Sequence, residues 1–206
     1  MKDIILNKFK LMGQELEKFI ASGEEIKIGS LGPEGTTTYE ATKYFIKYIE
    51  SKGIQTKIQV CLWNNFSDIH KALVDKVVDL IIIPNPFENI TQIYWDKKVD
   101  LAFGYVLESP LYGLAVKDET VLKKKHLKVA TGPAVNHLIF ELGNEILKEH
   151  TYELYRVNST TEAAMAVFDG KADIAMTNQT SVERVKVKFI TELLQAQIIW
   201  SVFKRK

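Results

Sequence analysis

Apolar runs of strand length alternate with stretches of helical spacing along most of this chain. Residues 25–31 predict a strand, 37–52 a helix, 55–62 a strand and 66–76 a helix. Residues 77–84 read Val-Val-Asp-Leu-Ile-Ile-Ile-Pro, the pattern of a parallel strand covered on both faces and closed by proline. A less regular stretch, 85–98, leads into extended segments at 99–107 and 111–116. A second alternation follows: strand 127–130, helix 134–150, strand 152–157, helix 159–168, strand 172–176 and a short helix 179–184. Strands at 187–190 and 197–203 close the chain. Two successive β-α-β-α-β units predict two α/β lobes. Lobe 1 is expected to comprise 25–107 plus 192–206 and lobe 2 to comprise 108–191, joined by extended crossovers at 99–107 and 192–197. Ligands of such sheets sit beyond the carboxyl ends of strands or in a cleft between lobes.

Residues 1–24 predict an amphipathic N-terminal helix, with Ile4, Ile5, Phe9, Met12, Leu16, Phe19 and Ile20 recurring at roughly helical spacing among charges. The spacing fits packing on the parent domain or on a second copy in a homodimer. No apolar stretch is long enough for a signal peptide or a membrane span, so no membrane partner is expected.

The 206 residues suffice for a substantial core. The 27 basic and 26 acidic residues balance, so no net field draws the chain to nucleic acid. One cysteine, Cys61, excludes an intrachain disulfide, fits a reducing cytoplasm and reads as a small core residue. The histidines at 70, 126, 137 and 150 form no metal-binding pair, and no Walker, dinucleotide or Gly-x-Ser-x-Gly signature is present. No metal and no cofactor are expected.

Four loops could carry chemistry. Gly32-Pro33-Glu34-Gly35-Thr36 joins a strand to a helix, and Thr37 and Thr38 follow. Free N–H groups and hydroxyls at such a helix start favour an anion, although an ordinary capped turn explains the pattern equally well. Asn158-Ser159-Thr160-Thr161-Glu162 opens a second helix with capping-box spacing. Two such helix starts could each hold one carboxylate of a dicarboxylic acid. Thr177-Asn178-Gln179 follows a strand and equally fits a cap, while Pro84-Asn85-Pro86-Phe87-Glu88-Asn89 follows another and contains one acid, Glu88.

These pieces, in this order, resemble the prephenate dehydratase family. Leu31-Gly32-Pro33-Glu34-Gly35-Thr36 is similar to its opening Leu-Gly-Pro-x-Gly-Thr motif. Residues 78–84 are similar to its strand before the Glu-Asn-Ser loop, and Ser159-Thr160-Thr161-Glu162-Ala163-Ala164 to its Ser-Thr-x-x-Ala segment. The likeness spans about residues 26–203. It implies a two-lobed α/β fold of the type II periplasmic-binding-protein kind, with a cleft between the lobes. Departures stand at the end of the chain. Dehydratases carry Thr-Arg-Phe, whose threonine is tied to expulsion of the ring hydroxyl, where Ser201-Val202-Phe203 stands here. Their Ser-His-Pro segment is Thr131-Gly132-Pro133. The chain also stops where the phenylalanine-sensing ACT domain would begin, so none is expected.

A closer likeness is to the non-aromatising prephenate decarboxylases of the bacilysin (anticapsin) pathway. It rests on the opening motif and on residues 110–116, 157–160, 173–178 and 200–203. That pathway's enzyme has histidines where Asn85 and Gly132 fall, so their role does not carry over. The resemblance implies antibiotic biosynthesis, with prephenate losing its ring carboxylate, keeping its alcohol and taking a proton on a ring carbon to give a dihydro-4-hydroxyphenylpyruvate. It implies Glu88, Tyr112 and Ser201 as catalytic candidates, with bound water or the substrate's own hydroxyl as other proton donors. Substrate-binding candidates are Gly32, Pro33, Glu34, Gly35, Thr36, Thr37, Asn85, Phe87, Asn158, Ser159, Thr160, Asn178, Trp200 and Phe203. Phe87, Tyr112, Trp200 and Phe203 are expected to surround the departing carboxylate. The alternatives are a dehydratase giving phenylpyruvate, or a non-catalytic module binding a small carboxylate.

Overall fold

The computed structural model describes residues 2–206, with side chains from Ile4 onward. Met1, where the expected N-terminal segment begins, and the side chains of Lys2 and Asp3 lie outside the described residues. The elements in order are α1 (Lys2–Ala21), β1 (Glu25–Leu31), α2 (Thr37–Ser51), β2 (Lys57–Trp63), α3 (Phe66–Val74), β3 (Leu80–Pro84), α4 (Ile90–Tyr94) and β4 (Val99–Glu108). Then come β5 (Tyr112–Val116), β6 (His126–Thr131), α5 (Leu138–Leu147), β7 (Thr151–Arg156), α6 (Thr160–Phe168), β8 (Ile174–Asn178), α7 (Gln179–Val185), β9 (Lys188–Phe189) and β10 (Gln197–Arg205). Short 3-10 turns lie at Glu119–Lys123 and Pro133–Val135. No helix among the described residues is long and apolar enough to cross a membrane.

The chain divides into two compact units. Unit 1 takes Met1–Gly32, Thr38–Leu107 and Ile198–Lys206, and unit 2 takes Pro33–Thr37 and Glu108–Gln197. Unit 1 holds a sheet of order β2-β1-β3-β10-β4 and unit 2 a sheet of order β7-β6-β8-β5-β9. In each, the first three strands run parallel and the fourth returns antiparallel beside the third.

Alternation along the strands builds two cores per sheet. Ile26, Ile28, Leu80, Ile82, Trp200 and Val202 pack with Phe45 and Ile49 of α2 and with Leu16 and Ile20 of α1. Ile81, Ile83 and Phe203 turn to the other face, against Ile69 and Leu73 of α3 and Ile90 and Ile93 of α4. In unit 2, Leu114, Val129 and Met176 meet Ile139 and Leu147 of α5. Ala115, Ala130 and Ala175 meet Ala163, Ala164 and Ala166 of α6, where small side chains let helix and sheet approach closely.

Three local outcomes differ from the sequence expectation. The segment expected as one helix over 134–150 breaks into the turn Pro133–Val135 and α5, with Asn136 and His137 between them. Helix α3 ends at Val74 instead of 76 because Lys76 takes a left-handed backbone, φ 63°. The Lys76 and Val77 N–H groups donate back to Leu73 and Ala72, a Schellman closure that normally uses glycine. Finally, only part of the α1 stripe is covered. Leu16 and Ile20 are buried, whereas Ile4, Ile5, Leu6, Phe9 and Leu11 are each more than half exposed.

Lys76→Gly should therefore stabilise the protein by about 0.5–1 kcal/mol, because glycine enters the left-handed region without the Cβ penalty. Urea unfolding checks this; a lower midpoint would show that the Lys76 stem contributes packing that outweighs the backbone term.

Candidate functional site

Unit 2 gathers most of the sequence candidates around one buried amide. Asn178 ends β8 opposite Tyr112 of β5. Its Oδ1 accepts from the Ser181 N–H at 2.8 Å, capping α7. Its Nδ2 donates to the hydroxyls of Thr37 and Thr160, both at 3.1 Å. Thr37 Oγ1 also shares a hydrogen bond with the Tyr112 hydroxyl. Thr160, the first residue of α6, accepts at its carbonyl from Thr177 Oγ1 at 2.7 Å. One asparagine thus ties the start of α2, the start of α6 and the start of α7 into a single network.

The start of α6 is itself capped. Ser159 Oγ accepts from the Glu162 N–H at 3.2 Å, as the capping-box spacing predicts. The Glu162 carboxylate reaches back to the Asn158 N–H at 3.0 Å, one residue before the cap. Next along α6, Thr161 Oγ1 bonds Ser181 Oγ at 2.9 Å.

The Pro33–Thr37 loop belongs to this network, and Arg184 of α7 fastens it. The guanidinium donates to the Glu34 backbone carbonyl, and one of its nitrogens lies 3.8 Å from the Glu34 carboxylate. Gly35 sits beneath with φ +91°, a conformation an L side chain rarely takes. A Cβ there would lie 3.5 Å from Arg184 Cδ and 3.8 Å from Thr161 Oγ1, in ordinary contact, so backbone conformation and not space selects glycine. Thr36 is buried and Gly35 with it, while Glu34 is exposed and Pro33 half-buried. Gly32 anchors the other end of the loop in unit 1, donating to the Trp63 carbonyl at 2.8 Å.

Burial pushes the Tyr112 phenol above its ordinary value, and the hydrogen bonds to Thr37 and Asn178 only partly offset that. Tyr112 therefore stays protonated and neutral near pH 7. Around Asn178 stand neutral hydroxyls and amides, with the Arg184 cation on the loop beside them: a set suited to binding an anionic oxygen and unsuited to removing a proton.

Unit 1 holds a second polar group. Asn85 follows β3, and its N–H donates to the Ile199 carbonyl at 2.9 Å. Ser201, on β10 opposite Ile83, lies 2.6 Å from Asn85 Oδ1 and 2.8 Å from the Tyr94 hydroxyl. Tyr94, the last residue of α4, also stands edge-on to Phe203, with ring centroids 5.0 Å apart. Ser201 is only 2% exposed, so it lies beneath its two partners.

The remaining candidates disperse. Trp200 and Phe203 are core residues on opposite faces of the unit 1 sheet, in different clusters. Phe87 packs its ring on Phe66 at 4.6 Å, at the margin of the Phe203 core. Tyr112 keeps its hydroxyl in the Asn178 network but sets its ring in the unit 2 core, which holds none of the other three aromatic candidates. Glu88 and Asn158 are exposed. Sequence reasoning missed Tyr94, Ser181 and Arg184. Only the Asn178–Ser181 capping spacing carried a local signal, since Arg184 meets Glu34 across 150 residues.

No protein-family model matches the chain. It is 28% identical to a prephenate decarboxylase of Planktothrix agardhii over 179 residues, 87% of this chain and 88% of that protein. Its fold is similar to that of prephenate dehydratase from Arthrobacter aurescens, solved in complex with L-Phe. The TM-score is 0.58 at 15% identity, covering 88% of this chain and 61% of that one. It is also similar to a periplasmic substrate-binding protein of an ABC transporter from Coxiella burnetii, with TM-score 0.58, 14% identity, and 87% and 84% covered. These likenesses bear out the resemblance to the prephenate dehydratase group and the periplasmic-binding-protein-like α/β fold.

Asn178→Asp keeps the cap on Ser181 but sets a buried negative charge among the Thr37, Tyr112 and Thr160 hydroxyls. The variant should stay folded by circular dichroism and bind a dicarboxylate at least about 10-fold more weakly in calorimetry. Equal affinity would remove Asn178 from the anion site.

Proposed function

We propose that this protein is a carboxy-lyase that decarboxylates prephenate without aromatising it. The observation that carries the reading is 28% identity to a protein named prephenate decarboxylase, along almost the full length of both chains. The Asn178 network supports it, since prephenate brings two carboxylates and the network supplies neutral donors at two helix starts beside Arg184.

The reaction can be written from the substrate. The C–C bond to the ring carboxylate breaks, carbon dioxide leaves, and its electron pair enters the cyclohexadiene. A proton taken up at a ring carbon completes the non-aromatising path. In the aromatising path the same pair expels the ring hydroxyl, and the proton goes to that leaving oxygen. Both paths consume one proton, so the product depends on where that proton is delivered. In this reading the Ser159–Thr161 start of α6 and the Pro33–Thr37 loop hold carboxylate oxygens, and water supplies the ring proton. The lone cysteine supports a reducing cytoplasm, and the bacilysin-like pathway remains part of the reading through the motif likeness alone.

Incubation with prephenate should release one carbon dioxide per substrate while the phenylpyruvate absorbance fails to develop. An inert protein, or stoichiometric phenylpyruvate, would overturn the reading. Ser159→Ala should lower stability by about 1 kcal/mol through the lost cap and also raise KM for prephenate.

We further propose that the protein is a homodimer paired through α1. The uncovered half of the helix carries Lys8 and Lys10, and Glu15 and Glu17 follow after Met12. An antiparallel pair crossing near Met12 would set Lys8 and Lys10 of each copy against Glu15 of the other and cover Ile5 and Phe9, while Glu17 stays with Tyr48 and Lys52 of its own chain. Sedimentation should find a dimer for the wild type and a folded monomer for the double variant Ile5→Ser, Phe9→Ser. A wild-type monomer at all concentrations would sink this pairing.

A further inference from the structure

Asn85, Ser201 and Tyr94 form a hydrogen-bonded chain whose direction can be worked out from proton supply. The contact between Ser201 Oγ and Asn85 is 2.6 Å. That length belongs to an O–H···O bond and is short for an amide N–H donor, so the oxygen end of the amide faces Ser201. Ser201 has one proton, and it is spent on Asn85 Oδ1. The 2.8 Å contact between Ser201 and Tyr94 must then run from the phenol, which donates to Ser201 Oγ. The 3.4 Å approach of the Tyr94 hydroxyl to the same Oδ1 places a second hydroxyl on the oxygen side of the amide. The Ser201 hydroxyl, itself oriented by Tyr94, thus holds Oδ1 inward, and the Nδ2 end, with its two donors, is turned away from it.

We infer that Ser201 and Tyr94 are positioning residues that lock Asn85 with its amide N–H groups outward, making it a donor site for an anionic oxygen such as a carboxylate. Burial agrees with this order. Ser201 is 2% exposed and cannot be the group that meets a ligand, whereas Asn85 is half-buried at the end of its strand and Tyr94 is 43% exposed. The Tyr94 ring is itself fixed edge-on to Phe203, which is fully buried. Asn85 Oδ1 is occupied from inside, so the outward end of the amide offers no acceptor. A cation or a hydroxyl donor is poorly served there and a carboxylate is well served. The amide cannot give up a proton at accessible pH, so the site binds and orients without acting as an acid. The inference rests on the decarboxylase reading only for the identity of the anion, prephenate.

The test measures prephenate binding by calorimetry and carbon dioxide release side by side, with the whole chain. Asn85→Asp keeps the shape and the acceptor facing Ser201 but turns an anionic oxygen outward; binding should weaken by at least about 30-fold. Tyr94→Phe keeps the ring on Phe203 and frees the Ser201 hydroxyl to rotate. It should raise KM by about 5-fold with kcat within about 2-fold and an unchanged melting temperature, a split that a purely structural role would not give. Folded Asn85→Asp that binds prephenate as tightly as wild type, or Tyr94→Phe with unaltered KM, would overturn the inference. Wild-type protein that binds prephenate and releases no carbon dioxide would instead overturn only the decarboxylase reading.

Discussion

In each sheet the chain returns antiparallel beside the third parallel strand, β10 next to β3 and β5 next to β8. The carboxyl edge of the third strand is therefore also the place where a distant segment begins its own strand. Asn178 meets Tyr112 there in one unit, and Asn85 meets the Ile199–Ser201 segment in the other. An open parallel sheet would leave that edge to loops from one neighbourhood of sequence. The returning strand instead supplies hydroxyls to residues 75 to 116 positions away, Tyr112 to Thr37 and Ser201 to Tyr94 and Asn85, on a rigid, ladder-bonded backbone. Each polar cluster thus inherits the precision of a sheet and not the looseness of a turn.

The two asparagines answer their surroundings in opposite ways. Asn178 directs its amide protons inward, to Thr37 and Thr160, and so arranges hydroxyls and helix starts that do the presenting. Asn85 has its oxygen held inward by Ser201. Identical side chains at equivalent edges of equivalent sheets carry different polarity because their partners differ in how many protons they can give. A list of residue types alone does not carry that information.

Features set by neighbours in sequence were legible in the chain, and those set by distant partners were not. Strand β1 was legible to the residue because its apolar alternation is bounded by glycine-rich turns. The Ser159–Glu162 cap was legible because both partners lie within one turn of helix. Gly35 was legible as part of a strand-to-helix turn, while the left-handed backbone it takes there, φ 91°, was not. Trp200 and Phe203 misled because aromatic residues near a motif look like pocket lining. Alternation along β10 sends them into two separate cores. Tyr94 stayed hidden in a stretch with no clear period, since a five-residue helix leaves almost no pattern. Arg184 stayed hidden because nothing local records a partner on a loop 150 residues earlier.

The groups assembled here bear on the proposed chemistry through what they lack as much as through what they offer. Expelling a ring hydroxyl needs an acid able to protonate it as the C–O bond breaks, or a strong donor aimed at it. Tyr112 is held protonated by burial, and a phenol with a raised pKa is a weaker acid than an ordinary one. Ser201, at the position where the resemblance sets the dehydratase threonine, is buried with its proton turned toward Asn85. The amides of Asn85 and Asn178 do not transfer protons at all. Taken separately, the Asn178 network and the Asn85–Ser201 pair can each grip a carboxylate through neutral donors, and neither set holds a group that would help an alcohol leave, which agrees with the non-aromatising reading.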